Sequence, residues 1–556
     1  MIDVWAYKCN DHIFFSIVIF FLLSLSLVNT TIMSDTVIQK YQQVLQRLLP
    51  FFQDRKNKYA CIGAAIVCLL SRQIYRSMVL PPEHLRSFPR VSTFQILNSF
   101  RKFESVPSRI KRLINPITDA GYSFYMARSP LAWNLFVADP KAAKIVLMKT
   151  DNFPKTHQFF SNSGDDTPLA MLLGKENVAV SNGNVWRKQR RIMNPAFHRS
   201  RPIKTFGSVM PFLFSAIDEN PDKVMISKQI KGFTLDALGL SVFGFDFQSL
   251  RGDPQNWADT YHTVMSNIFN PLSSLLIRFS FIWRLISTNF VKTQKATDRL
   301  LSMMENLADE KRRQILNGEM ENLADQEKDL LTMMIEADIE EGTKTTTTQL
   351  RQNIAFFLFA GHDTTANAIS LCIYNLAKNP DVQQKLREEV SDILGSDPDA
   401  VPTLDDLKRM TYLDLVIKEN LRRSGPVDRI VSRDATDDFI INGTHIPKGT
   451  QLNIDIGSLH FNPKLWQNPE KFIPERFAPG GENDSHEGFA YLPFGHGARQ
   501  CIGMHFSLIE QKVVIAMLVK RYFIEVPKDS IHYDEIQFDM PMTISPETLE
   551  LKFTKL

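Results

Sequence analysis

One stretch of the chain, FGHGARQCIG from Phe494 to Gly503, gathers residue types that do chemistry: Cys501, Arg499 and His496 among three glycines. Glycine marks tight turns or a close approach of backbone to a ligand. The run IGMHFSLIEQKVVIAMLVKRY follows directly and has an amphipathic helix pattern. Cys501 therefore stands just ahead of a helix N-terminus, where backbone N–H groups and the helix dipole stabilise a thiolate. Three uses compete for that thiolate loop. Cys501 can be a catalytic nucleophile with His496 as its base. It can be an axial haem ligand, whose electron donation favours O–O cleavage, with Arg499 pairing a propionate. A dinucleotide loop is the third, but G-x-G-x-x-G fails at Gln500 and no strand-like run of adequate length precedes it.

A second group is AGHDTT, Ala360 to Thr365. Asp363 sits within a nearly all-apolar stretch, where a charge is costly without a purpose or a partner. Ala360, Gly361 and Thr364 share roughly one helical face, and two small residues leave room for a flat cofactor or ligand. An acid and an alcohol beside such a groove suit proton delivery to bound oxygen. The same residues also fit a kinked core helix with threonine bonding back to the i−4 carbonyl. The third group is Glu419 and Arg422 in ENLR, which can pair on one helix face, with Arg476 of PERF as a further arginine. Solvated surface pairs share that pattern.

The elements that must position these groups are mostly helices. TTQLRQNIAFFLFAGHDTTANAISLCIYNLAKNP reads as one long buried helix, capped by Thr347 or Thr348 and stopped by Asn379-Pro380. Residues 380–395 form a shorter amphipathic helix, with Pro at the start and Gly at the end. Residues 404–423 read as another. Asn442-Gly443, between β-prone triplets, is a hairpin signal that outweighs the formal glycosylation sequon in a cytosolic body. The expected fold class is mainly α with a small β portion near 427–455. From about residue 81 onward no linker or shift of composition marks a further domain, so the chain divides into 1–80 and 81–556.

Composition sets bounds on function. A net charge of +3 excludes strong polyanion binding, and no nucleic acid is expected. Five cysteines, at 9, 61, 68, 372 and 501, are too few and too scattered for a disulfide scaffold or a structural zinc site. Cys372 reads as a small core hydrophobe. Ile13 to Ser34 runs 22 residues without a charge, enough for a bilayer span. The basic residues beyond it, Lys40, Arg47, Arg55, Lys56 and Lys58, place the remainder in the cytosol. A shorter uncharged run, Tyr59 to Ser71, is the anchor instead if Met33 is the start.

Together and in this order, these residues resemble the cytochrome P450 superfamily, of the membrane-anchored microsomal type. Phe494, Gly497, Arg499, Cys501 and Gly503 match its F-x-x-G-x-R-x-C-x-G haem loop. Ala360, Gly361, Asp363, Thr364 and Thr365 match the oxygen-activation segment of its central helix. Glu419, Arg422 and Arg476 match its structural triad, and Trp186 and Arg190 in NVWRKQRR match W-x-x-x-R. The resemblance implies the P450 fold, haem held between a long central helix and a Cys-ligand loop, with haem b as cofactor. It implies Cys501 as the iron ligand, and Arg499, Trp186, Arg190 and Arg433 with Phe494 and Gly497 around the cofactor. It implies Thr364 and Asp363 in proton delivery. RSGPV departs from the family's pattern after Arg422, and Arg433 stands about one position late.

The activity implied by the resemblance is that of a haem–thiolate monooxygenase, which inserts one atom of O2 into a lipophilic substrate. Residues 81–556 would be its catalytic domain, anchored to the endoplasmic reticulum membrane by 1–80 and facing the cytosol. No flavin or nicotinamide motif is visible, so NADPH acts through a partner, NADPH–cytochrome P450 reductase, with cytochrome b5 as a second candidate. Arg187, Lys188 and Arg191 offer a basic docking face. Phe356 to Ala360, the 156–175 loop and part of 205–290 are the expected pocket walls, with at most two of Phe356, Phe357 and Phe359 on the haem side. His496 and His362 are read as non-ligands. Two other functions compete: a haem–thiolate peroxide isomerase or dehydratase that needs no O2, and a non-catalytic membrane haem protein. The acid–alcohol pair speaks against both.

Overall fold

Residues 81–556 form a helical body whose longest element runs through its core. The computed structural model describes these residues except 103, 130–131, 157–167, 269–286, 321–322, 324–327, 343–344, 487, 538–545 and 547, together with scattered positions between 63 and 80. The run 13–34 lies outside the described residues. The chain divides into two compact units, Met1–Leu80 and Pro81–Leu556. No helix among the described residues is long and apolar enough to cross a membrane.

The helices that build the site are α1 (Pro140–Met148), α2 (Gly183–Arg199), α3 (Ile203–Asp218), α4 (Ile226–Leu238), α5 (Trp257–Ile268), α6 (Thr288–Leu316), α7 (Thr347–Lys378), α8 (Pro380–Leu394), α9 (Leu404–Arg409), α10 (Thr411–Ser424) and α11 (Met504–Arg521). Helix α7 is buried over most of its length because its sequence is apolar on nearly every face. Its cap is Thr346, one residue before the expected position. The Thr346 side chain accepts from Gln349 N–H and Gln349 answers to the Thr346 N–H, a reciprocal capping box. Asn379 ends α7 and Pro380 opens α8, where a missing N–H costs nothing. The stretch 404–423 is two helices rather than one. Met410 leaves helical geometry at ψ 74, and Glu389 of α8 then accepts from the free N–H groups of Tyr412 and Leu413.

The β structure is larger than expected. β1 (Phe124–Arg128) and β2 (Trp133–Val137) form an antiparallel pair, and β2 pairs in parallel with β7 (Gln451–Ile454), which pairs antiparallel with β4 (Arg433–Asp434). A second sheet orders β3 (Val224–Met225), β9 (Glu550–Lys555) and β8 (Tyr522–Glu525). The Asn442-Gly443 turn joins β5 (Phe439–Ile441) to β6 (Thr444–Ile446) as expected, with both turn residues at positive φ, 49° and 73°. One large apolar core lies among the helices and a smaller one beneath the β1–β2–β7 sheet.

Candidate active site

The Cys501 loop is shaped by its own backbone. The Cys501 N–H donates to the Phe494 carbonyl at 3.0 Å, closing the loop, and Gly503 is the N-cap of α11. Gly495 and Gly497 hold positive φ, 68° and 75°, which a side chain would resist. A Cβ on Gly497 would stand 3.2 Å from the Leu147 carbonyl, so this glycine also lets the loop lie against α1. The Cys501 side chain borders a cavity of about 420 Å³, also lined by Trp186, Arg190, Phe197 and His505. The residue is exposed at that opening although protein atoms surround it. Burial pushes the thiol up, while the Gly503 N–H and the Arg190 charge pull it back.

Beside the loop lies a pool of cations. Arg499 packs over the Trp186 ring, 3.8 Å from its centroid, and donates to the Ser181 carbonyl and Asn182 Oδ1. Arg433, on β4 and buried, donates to the Phe153 carbonyl at 3.0 Å, so its late position in the sequence does not take it out of the pool. Lys155 is buried, bridges in backbone to Arg433, and reaches the Val431 carbonyl at 3.2 Å. Arg190 completes the group from α2. Nε of Arg190, Nε of Arg433 and one terminal nitrogen of Arg499 are buried without any hydrogen-bond partner. Desolvation and mutual repulsion lower the pKa values of these cations: Arg499 to about 9, through burial first and then Arg433 and Arg190, and Arg433 to about 10 through burial. Lys155 is pushed down by burial, then by Arg433 and Arg499. Unpaired buried charge of this kind calls for an anion. The sequence reading missed Lys155. It lies in no motif, and only the fold brings it to Arg433.

On α7, the Thr364 hydroxyl donates to the Ala360 carbonyl at 2.7 Å, the i−4 bond of a core helix. Gly361 does not open a groove for a cofactor with its missing side chain. A Cβ there would meet Leu238 Cδ1 at 2.8 Å, so the glycine admits α4 against α7. Phe357 turns to Phe197, with ring centroids 5.3 Å apart, and only Phe356 and Phe359 stay half-buried. His362 is buried, and the exposed His496 packs on Phe489. Most of the 156–175 loop lies outside the described residues.

The structural triad forms, fully buried. Arg422 Nε and a terminal nitrogen donate to the two Glu419 oxygens at 2.7 and 2.8 Å, and Arg476 Nε reaches Glu419 at 3.3 Å. His460 links this triad to the Cys501 loop. Its Nδ1 lies 3.0 Å from the Arg422 carbonyl, and the Leu492 N–H donates to its Nε2 at 2.9 Å. On the surface of α2, Arg187 pairs with Asp151 and Arg191 with Glu341.

A thiol at a helix start beside unpaired buried cations fits an anionic, metal-bearing cofactor. The family model for cytochrome P450 matches residues 109–553. Cytochrome P450 4A10 of Rattus norvegicus is 31% identical over 70% of this chain and 75% of its own length. Taurochenodeoxycholic 6 alpha-hydroxylase of Sus scrofa is 30% identical, over 70% and 76%. Cytochrome P450 3A7 of Homo sapiens is 27% identical, over 74% and 80%. The chain belongs to the cytochrome P450 family. It is a monooxygenase, an oxidoreductase with haem b that uses NADPH through a reductase and acts on lipophilic substrates. The residues present fit that group. Haem b carries propionate carboxylates, which would satisfy the three orphaned arginine nitrogens and offset both the burial that lowers Arg433 and the burial and mutual repulsion that lower Lys155 and Arg499.

Proposed function

We propose that Cys501 supplies the thiolate that ligates haem iron, and that Arg190, Arg433, Arg499, Lys155 and the Trp186 indole hold the propionates. The observation that carries this reading is the set of orphaned guanidinium nitrogens next to the Cys501 loop. When bound, haem supplies the reductive activation of O2. The chain's own residues do the rest. Phe494 and Gly497 shape the loop, Phe356 and Phe359 keep water from the substrate side, and Asp363 and Thr364 hold and pass protons. The half-buried phenylalanines support a lipid with an apolar skeleton as the substrate class, as does a relative named for taurochenodeoxycholic 6 alpha-hydroxylation.

Residues 81–556 act as the catalytic domain, with 1–80 as membrane anchor and linker at the endoplasmic reticulum and the catalytic domain on the cytosolic side. NADPH–cytochrome P450 reductase is the electron donor and cytochrome b5 an auxiliary one. Arg187, Lys188 and Arg191 on α2 support docking of an acidic partner near the loop, although Arg187 and Arg191 already hold internal acids. The test is reconstitution of the full chain with that reductase, NADPH and labelled O2 over a panel of lipids. The expected result is a product carrying one labelled oxygen and no product without NADPH. Rearrangement or dehydration of a lipid peroxide as the sole turnover, with no NADPH-dependent product carrying labelled oxygen, would overturn the reading.

A further inference from the structure

Tyr261 on α5, Lys231 on α4 and His362 on α7 all meet the carboxylate of Asp363, and they divide its two oxygens between them. The buried Tyr261 phenol donates to Oδ2 at 3.0 Å. Lys231 Nζ lies 3.9 Å from Oδ1, and His362 Nε2 lies 3.5 Å from the same Oδ1. The Tyr261 and His362 rings stand edge to face with centroids 4.5 Å apart, so one phenol orients both neighbours. His362 Nδ1 is 3.3 Å from the Leu358 carbonyl. A carbonyl only accepts, so Nδ1 carries the ring proton and Nε2 turns a lone pair toward Oδ1. Burial favours the neutral imidazole. A lone pair repels a bare carboxylate oxygen and welcomes a protonated one.

The Asp363 and Lys231 side chains keep 26% and 22% exposure, whereas Tyr261 and His362 are buried. Oδ1 thus faces Lys231, the partner with access to water, and Oδ2 is anchored by the buried Tyr261. The Thr364 hydroxyl, one residue on, is held inside the helix by Ala360.

We propose that Tyr261 is a positioning residue for proton delivery: it anchors Oδ2 of Asp363 so that Oδ1 takes protons from the water side at Lys231 and holds them against His362 Nε2. Lys231 gives a proton to Oδ1 and regains one from water, so the pair is restored after each passage. The electrons of the turnover come from NADPH through the reductase. This inference rests on the reading of Asp363 as the proton-passing acid.

The experiment compares the reconstituted full chain with Tyr261→Phe, Asp363→Asn and the double variant, measuring product formed per NADPH, hydrogen peroxide released, KM and peroxide-driven turnover. Loss of one hydrogen bond to a charged group predicts that Tyr261→Phe lowers product per NADPH by about 10- to 100-fold. The missing electrons should appear as hydrogen peroxide, with KM and peroxide-driven turnover unchanged. The double variant should be no worse than Asp363→Asn alone. Urea unfolding gives a readout independent of turnover: the two substitutions should be non-additive by a similar factor in the unfolding constant. If Asp363→Asn uncouples and Tyr261→Phe does not, the role of Tyr261 is wrong while that of Asp363 stands. If Asp363→Asn stays fully coupled, the reading of Asp363 itself falls, and this inference with it. Additive losses in the double variant show Tyr261 acting elsewhere. Should Tyr261→Phe fail to fold, Lys231→Met serves in its place: coupling equal to wild type in that variant overturns the inference.

Discussion

Acidification should loosen the Cys501 loop through a single histidine. His460 is buried between the Arg422 carbonyl, which its Nδ1 proton meets at 3.0 Å, and the Leu492 N–H, which its Nε2 accepts at 2.9 Å. The Tyr491 ring stacks on it with centroids 5.6 Å apart. The neutral ring satisfies both partners; the imidazolium has no lone pair for Leu492. Burial, then the Arg422 charge, holds His460 down to about 3. An unfolded histidine titrates near about 6.5. The unfolded chain thus binds the extra proton first, so this contribution to stability is complete above about pH 6.5 and is lost as pH falls toward about 3. Between about pH 7.5 and 5 the loss is about 2 kcal/mol, from the separation of the two titrations at about 1.4 kcal/mol per pH unit. Urea midpoints of the holoprotein at both pH values measure it, with the Soret band as the probe of the loop. His460→Gln keeps a donor and an acceptor but cannot titrate, so its pH dependence should be shallower than that of wild type by about 2 kcal/mol. Equal pH dependence in the two proteins would refute the argument.

The buried groups around the site set further outcomes. Glu419→Ala leaves Arg422 and Arg476 buried without their acid, and should cost about 3–5 kcal/mol, seen as loss of folded holoprotein on expression. Gly361→Ala gains helix propensity but drives a methyl to within 2.8 Å of Leu238, for a net loss of about 1 kcal/mol in urea unfolding. Leu238→Ala should then cost less in the Gly361→Ala background than in wild type. Arg433→Met removes a buried charge that lacks an internal acid, so the haem-free protein should gain about 1–3 kcal/mol in stability while haem transfer to apomyoglobin speeds up about tenfold. A haem-free variant less stable than wild type would show that the cation already has its partner.

The features legible in the sequence were those that local pattern determines. The Cys501 loop stood out because positive-φ turns need glycine and a helix must come next to place the thiol. Helix α7 was legible from its apolar length, and the 439–446 hairpin from Asn442-Gly443. The Glu419–Arg422 pair could be seen, but not its burial, since a pair three apart looks the same in water and in a core. The break at Met410 carries neither Pro nor Gly. It is set by Glu389 on another helix, while a Thr403–Asp406 box caps α9 ahead of it. β1 and β2 are short, and the parallel pairing of Leu135 with Leu452 joins segments far apart in the chain, which no window of sequence contains. Lys155 and Tyr261 escaped for the same reason: each gains its meaning from a partner on another element. Gly361 shows the converse, a residue correctly singled out whose missing side chain serves the packing of Leu238 rather than a ligand.

The central claim is that the sulfur of Cys501 ligates the haem. Its most direct measurement is the difference spectrum of the reduced, CO-bound protein for wild type and Cys501→Ser, each loaded with equal haem. Ligation by Cys501 predicts the long-wavelength band of a thiolate-ligated haem in wild type and its complete absence in Cys501→Ser, with haem still held by the arginines. A Cys501→Ser protein that keeps the band would contradict it.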